Sequence, residues 1–199
     1  MIVSRSRSFV FAHIPKTGGT SIAAALAPFA DGQAAAHGDT THETLPDFLA
    51  RHPAMEGHFK FAFVRNPWAR AVSFYFHARQ RLSPTLPRMQ FVERFDDMLR
   101  LMDGGAAWLA DLLSLRPQHG FIRAEGGAAL ADFVGRFEHL ERDFAAACRR
   151  AGIDAALPVR NVSRHLPYAA YYSDWSKGFV AERYAQDIRE FDYSFEAAS

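Results

Sequence analysis

Three short apolar runs along the chain each lead through a polar turn into a segment with helical spacing of apolar residues. The first extends from Ser8 to Ile14 (SFVFAHI), the second begins at Phe59 (FKFAFV), and the third begins at Asp132 (DFVGRF). The first run is aromatic and β-branched, which is typical of a strand that is buried on both faces, and the other two also predict strands. Three strand–helix units in chain order predict an α/β domain with a mostly parallel sheet.

The segments around these runs predict helices. Pro67 suits the first turn of a helix, and Trp68, Val72 and Phe76 then repeat every four residues to form one apolar stripe. Gly152 is placed to end a helix in the third unit. The predicted helical stretches are Ile22 to Leu26, the segment after Pro67, Phe91 to Met102, Ala106 to Leu115 and Leu140 to Arg150.

Composition predicts one compact domain over residues 1–199. The chain is 49% hydrophobic, which supplies enough apolar area for a sizeable core. Its 23 basic and 22 acidic residues leave a net charge of +1, which is not typical of a protein that coats nucleic acid. We therefore expect no nucleic-acid partner, and any anion site must be built locally from a few placed groups.

Cysteine content and hydropathy predict the compartment. The single cysteine, Cys148, excludes a disulfide framework and favours a reducing compartment. The amino-terminal residues lack the apolar region of a signal peptide. No apolar run approaches the roughly 20 residues that span a bilayer. These features predict a cytoplasmic protein without stable membrane insertion, and they leave the oligomeric state open.

The turn after the first run carries groups that bind phosphate. Its residues are Lys16, Thr17, Gly18, Gly19, Thr20 and Ser21. Paired glycines allow the backbone to approach a ligand closely, and the N–H groups that open the next helix attract an anion. Lys16 adds a full positive charge, and three hydroxyls add donors. The sequence therefore predicts a phosphate-binding turn at the carboxyl edge of the sheet.

This turn differs from that of nucleoside triphosphatases. Their motif places lysine after the second glycine, whereas Lys16 precedes both glycines. Arg136 also stands at the end of the third run, where a magnesium-binding carboxylate is expected. A P-loop-type nucleotide kinase or triphosphatase is therefore an alternative, and so is a non-catalytic module that only binds a nucleotide.

Two motifs resemble those of sulfotransferases that use PAPS (3'-phosphoadenosine 5'-phosphosulfate). HIPKTGGTSI resembles the 5'-phosphosulfate loop as it occurs in the carbohydrate-type, family 2-like branch. FAFVRNPWARAVSFY resembles the 3'-phosphate motif. Further resemblance includes Pro117-Gln118, FVGRFEHLERDF, LPVRNVS and YAQDIREFDYSF, so it covers most of the chain. The resemblance implies a three-layer α/β/α, P-loop-like sulfotransferase fold with PAPS as donor and PAP as product.

The resemblance also implies roles for single residues. Lys16 and its turn match the part that holds the 5' end of the donor, where Lys16 neutralises charge on the leaving phosphate. Arg65 and Ser73 match the 3'-phosphate residues, and Arg164, in the polar segment Arg160 to His165, is a candidate second contact. Arg70 is expected nearer the solvent face. The implied reaction is sulfuryl transfer to the hydroxyl of a small-molecule or glycan acceptor, with lipid, phenol and peptide acceptors still open.

An acceptor hydroxyl needs a base, and histidine suits neutral pH. In related enzymes a histidine or carboxylate from the segment between the two motifs has this role, so His42 is the first candidate, His37 the second and Glu43 the third. His13 is predicted to lie inside the first strand as a packed residue. The histidines lack metal-site spacing, and we expect no metal.

An aromatic cluster near the carboxyl terminus has two interpretations. It either lines an acceptor cleft, where sugars stack on rings, or packs the C-terminal helix against the sheet. Its members are Tyr168, Tyr171, Tyr172 and Trp175.

Overall fold

The structure is a computed structural model that describes residues 1–31, 43–80, 92–106, 109, 112–158 and 166–196. Within these ranges the chain is mixed α/β, with one four-stranded sheet and seven α-helices. The strands are β1 (Ile2–Ser4), β2 (Phe9–Ala12), β3 (Phe59–Val64) and β4 (Phe133–Arg136). The helices are α1 (Gly19–Leu26), α2 (Leu45–Arg51), α3 (Pro67–Gln80), α4 (Phe95–Asp103), α5 (Leu140–Ala151), α6 (Asp174–Arg183) and α7 (Ala185–Glu190).

The sheet has the strand order β1-β2-β3-β4. Strands β2 and β3 are parallel, as are β3 and β4, so the three predicted strands form the predicted parallel array. Strand β1 pairs antiparallel with β2 and was not predicted. Because β2, β3 and β4 run in the same direction, the turns that follow them leave from the same edge of the sheet.

The chain divides into two compact units. The first combines Met1–Arg65 with Gln118–Asn161 and contains the sheet. Its core lies on the sheet face that carries Phe9, Phe11, Phe61 and Phe63, and apolar residues of α1 and α5 pack against this face. The alternation of side chains along a strand places these four rings together.

The second unit combines Asn66–Pro117 with Val162–Ser199 and is helical in its described residues. Its core gathers apolar side chains of α3, α4 and α6. Trp68 and Val72 are buried in this core and Phe76 packs against it, which confirms the predicted stripe.

Several element ends differ from the prediction. Strand β2 ends at Ala12, so the prediction that His13 lies inside the strand was wrong and His13 belongs to the following turn. Helix α4 begins at Phe95 rather than at residue 91, and the described part of 106–115 includes a 3-10 turn at Leu113–Leu115. Helix α5 ends as predicted, at Gly152, whose φ of 64° is left-handed.

Candidate functional site

The turn between β2 and α1 is tightly folded. Lys16 and Gly18 both adopt left-handed conformations, with φ of 70° and 84°. Thr17 between them is fully buried, and its hydroxyl donates to the carbonyl of Ile14 at 2.8 Å. A left-handed lysine costs about 1–3 kcal/mol, and such residues cluster at functional sites. The turn therefore holds Lys16 in a conformation that the surrounding structure imposes.

The amino terminus of α1 is arranged to accept an anion. Gly18 occupies the N-cap position without a side-chain cap, and the first turn of the helix holds no acidic residue. The Gly18 carbonyl accepts from the N–H groups of Ser21 and Ile22 at 3.0 and 3.2 Å. Helix geometry leaves the N–H groups of Gly19 and Thr20 without an intrahelical acceptor. These donors and the helix dipole favour a negative group beside Lys16.

Replacing Gly19 with alanine is expected to lower the free energy of unfolding by about 1–3 kcal/mol, the usual cost of overpacking. A Cβ built on Gly19 would lie 1.8 Å from Nε2 of His13, so the imidazole would have to move. Gly120→Ala is the matched control, because nothing lies within 4 Å of a Cβ built there. Urea denaturation of both variants measures the difference. Equal stabilities would contradict the close contact between His13 and α1.

Arg65 follows the last residue of β3 and lies beside the same turn. Its Nη1 donates to the carbonyl of Lys16 at 3.4 Å, and its Cζ lies 4.1 Å from the centre of the Phe137 ring. Phe137 also borders the turn, since a Cβ built on Gly18 would lie 3.2 Å from its Cδ2. The structure therefore brings the Lys16 backbone and the Arg65 guanidinium together at the carboxyl edge of the parallel strands, with Phe137 against the guanidinium and beside Gly18.

The backbone of Arg65 is held by a side chain that the sequence analysis noted only as part of the resemblance. The N–H of Arg65 donates to Oε1 of Gln118 at 2.8 Å, and Nε2 of Gln118 donates to the carbonyl of Arg65 at 2.8 Å. Gln118 is fully buried. A buried amide requires partners for its polar atoms, but the sequence does not show which partners it finds.

Helix α3, unlike α1, has a side-chain cap. Oδ1 of Asn66 accepts from the N–H groups of Trp68 and Ala69 at 3.1 and 3.3 Å. Nδ2 of Asn66 donates to the carbonyl of Ser194 at 2.8 Å. Asn66 therefore already occupies these two N–H groups at the start of α3.

The structure describes only some of the remaining predicted site residues. Ser73 is half-buried on α3 and belongs to the second unit, so its pairing with Arg65 stays a prediction. His37, His42 and Arg164 lie outside the described residues. Glu43, the third candidate base, forms an ion pair with Arg51.

Arg70 does not lie near the solvent face, so that expectation was wrong. It is buried, and its guanidinium donates to the carbonyls of Arg116 at 2.9 Å and Ser114 at 3.0 Å. Burial lowers the pKa of Arg70, while the neighbouring Tyr184 and Asp187 act in the opposite direction. Arg70 therefore has a structural role: it holds the backbone at Ser114 and Arg116 within the second unit.

The aromatic cluster belongs to the core of the second unit. Its partly buried members packed against that core are Tyr168, Tyr171, Tyr172 and Trp175. The Tyr172 hydroxyl donates to the carbonyl of Trp68 at 2.9 Å, and the Tyr168 hydroxyl donates to the carbonyl of Phe195. Burial raises the pKa of Tyr172 well above its ordinary value. These contacts favour packing over an acceptor cleft, and their partners belong to the core of the second unit, whereas the prediction named the sheet.

Neither a metal-binding cluster nor a membrane-spanning helix occurs in the described part of the chain. No three His, Cys, Asp or Glu side chains in the described ranges gather in a way that would hold a metal ion. Among the helices of that same part of the chain, none has the length and apolarity to cross a bilayer.

Comparison with known proteins identifies the family. A family model described as "Sulfotransferase family" matches residues 1–194. An uncharacterised protein of Archaeoglobus fulgidus is 29% identical over 106 residues, which cover 53% of this chain and 77% of that relative. No solved structure matches the chain at a significant level. Because the family model covers nearly the whole chain, the chain belongs to the sulfotransferase family.

Proposed function

We propose that this protein transfers a sulfuryl group from PAPS to a hydroxyl group of an acceptor. Membership of the sulfotransferase family supports transferase activity in general. One observation supports the nucleotide donor most strongly: the Arg65 guanidinium lies beside the Lys16 carbonyl, in the turn that leads into the uncapped amino terminus of α1. PAPS carries anionic groups on both sides of its ribose and therefore needs two such binding points.

The proposed site assigns the two ends of the donor to different residues. The 5' end lies at Lys16 and the following turn, where backbone N–H groups and the helix dipole bind oxyanions. The 3'-phosphate lies at Arg65, whose planar fork can hold two phosphate oxygens. The family resemblance adds Ser73 and Arg164 as further 3'-phosphate contacts. It also supports one domain over residues 1–199 with a three-layer, P-loop-like arrangement.

The chemistry required of the chain is positioning and charge stabilisation. When bound, PAPS supplies the sulfuryl group and leaves as PAP. The acceptor oxygen bonds to sulfur as the bond from sulfur to the bridging oxygen of the 5'-phosphate breaks. Lys16 offsets the charge that builds on this oxygen, as donors in preorganised sites do. The acceptor proton passes to a base, for which His42 is the first candidate and His37 the second.

The acceptor is proposed from the family resemblance. The first motif resembles that of the carbohydrate-type branch, which favours a carbohydrate acceptor. The proposed enzyme is cytoplasmic and acts on small molecules or glycans. Glu43 is a weaker candidate for the base, because its carboxylate already pairs with Arg51.

A nucleotide kinase or triphosphatase is the second candidate, and one contact weakens it. Near the end of β4, Asp143 accepts from the backbone N–H of Arg136 and from Nε of Arg142, each at 2.8 Å. Both carboxylate oxygens are therefore engaged in hydrogen bonds, which makes Asp143 a poor ligand for the magnesium that such enzymes require.

The test is sulfate transfer from radiolabelled PAPS to a panel of glycans, lipids, phenols and tyrosine peptides, with PAP release measured in parallel. We expect a labelled product and stoichiometric PAP for at least one acceptor class, without added magnesium. Magnesium-dependent hydrolysis of ATP instead would support the kinase or triphosphatase alternative. PAP binding without transfer to any acceptor in the panel would favour the non-catalytic module.

A further inference from the structure

The Gln118 side chain makes a two-point hydrogen bond with Arg65. Oε1 accepts from the backbone N–H of Arg65, and Nε2 donates to its carbonyl, both at 2.8 Å. An antiparallel strand forms the same pair of bonds with the residue opposite it, whereas both neighbours of β3 are parallel to it. Strand β3 ends at Val64, so the amide satisfies both backbone groups of the first residue beyond the strand.

A primary amide is the group that this position requires. It both donates and accepts, whereas a carboxylate of the same size only accepts and an aliphatic side chain does neither. Gln118 is fully buried, and water cannot replace a lost partner there without rearrangement. Substitution of Gln118 therefore releases the backbone of Arg65 at the point where the chain leaves the sheet.

The Arg65 guanidinium depends on that backbone for its position. The guanidinium lies over the Phe137 ring at 4.1 Å, and Nη1 approaches the Lys16 carbonyl at 3.4 Å. A fork that binds two oxygens of one phosphate has narrow tolerance, so a small shift of its backbone reduces binding.

We propose that Gln118 is the positioning residue for Arg65 and thereby determines how strongly the protein prefers a 3'-phosphorylated nucleotide. This inference rests on the proposed function, because it assigns the 3'-phosphate to Arg65. Gln118 acts through the backbone of Arg65 and need not touch the nucleotide. Its substitution should therefore change the binding of ligands that carry a 3'-phosphate and spare ligands that lack it.

The experiment compares PAP with AMP, which lacks the 3'-phosphate, by isothermal titration calorimetry. In Gln118→Leu we expect the Kd for PAP to rise about tenfold and the Kd for AMP to change less than about twofold. Gln118→Glu keeps the size of the side chain, loses the donor and adds negative charge, so it should weaken PAP binding at least as much as Gln118→Leu does. The stoichiometry of each titration reports the folded fraction, and the ratio of the two Kd values does not depend on it.

Asp132→Ala is the matched control. Oδ2 of Asp132 accepts from the backbone N–H of Lys60 at 2.7 Å, so this variant also removes a side-chain contact to the β3 backbone, near the opposite end of the strand. We expect it to leave the ratio of the PAP and AMP dissociation constants unchanged. Gln118→Leu should also have no further effect on PAP binding in an Arg65→Ala background, because coupled residues do not act additively.

The outcomes separate the inference from the proposed function. If the wild-type protein binds PAP no more tightly than AMP, the proposed 3'-phosphate site fails and the role of Gln118 fails with it. If the wild-type protein prefers PAP and Arg65→Ala removes this preference, the proposed site stands. Unchanged PAP binding in Gln118→Leu, or an equal loss for PAP and AMP, would then overturn the positioning role alone.

Discussion

Replacing Lys16 with alanine is expected to lower kcat for sulfuryl transfer by about 10²–10³-fold, the usual loss when a donor to developing negative charge is removed. Lys16 lies in the turn before α1, and the first turn of that helix carries no acidic group. The proposed function assigns its ammonium to offset charge on the leaving phosphate. Steady-state kinetics with labelled PAPS measures the loss.

The left-handed backbone of Lys16 provides a control for this prediction. Because φ at residue 16 is 70°, glycine is tolerated there better than alanine. Left-handed alanine costs about 1–2 kcal/mol, and the greater chain entropy of glycine offsets about 0.5–1 kcal/mol of this. The free energy of unfolding of Lys16→Gly should therefore exceed that of Lys16→Ala by about 0.5–1 kcal/mol, while both variants lose turnover equally. A Lys16→Ala variant that remains folded and retains wild-type kcat would contradict the assigned role of the ammonium.

Replacing Arg65 with alanine is expected to raise the Kd for PAP by about 10- to 100-fold, the range for loss of charge-assisted hydrogen bonds. The Kd for AMP should change much less, because AMP lacks the 3'-phosphate that Arg65 is proposed to bind. The effect on PAP should diminish at higher salt, since the interaction is electrostatic. Calorimetry with both nucleotides at two ionic strengths measures these differences.

Arg150 provides the matched control for Arg65. Like that of Arg65, its guanidinium stacks on an aromatic ring, with Cζ 4.8 Å from the centre of Phe59. Phe59 is the first residue of β3, whereas Arg65 follows the last. Arg150→Ala removes a comparable arginine and should leave both dissociation constants unchanged. Equal weakening of PAP by the two variants would indicate a general loss of positive charge rather than a 3'-phosphate site at Arg65.

The sequence predicted the strand–helix units because their signals are local. The run Phe59–Val64 is apolar apart from Lys60, and Pro67 begins the next helix, so the bounds of β3 and the start of α3 could be predicted closely. Strand β1 has three residues and no periodicity of its own, and only its pairing with β2 makes it a strand. His13 was predicted to lie inside β2 but follows it, because the apolar character of the run does not show that the strand ends at Ala12.

The site was predictable in its motifs and unpredictable in its supporting contacts. The order of lysine, glycines and hydroxyls indicated the phosphate-binding turn, but the left-handed φ of Lys16 is imposed by the folded turn. Gln118 lies 53 residues from Arg65 in the chain, so nothing in the local pattern pairs them. Arg70 looked exposed because its carbonyl partners, 44 and 46 residues away, come from another segment.

A crystal structure with PAP bound would show whether one nucleotide places its two anionic ends on the turn at Lys16 and on Arg65. We expect the 5'-phosphate within hydrogen-bonding distance of the N–H groups at the start of α1 and the 3'-phosphate on the Arg65 guanidinium. A PAP molecule whose 3'-phosphate lies away from Arg65, or that binds with its 5'-phosphate away from this turn, would contradict this arrangement.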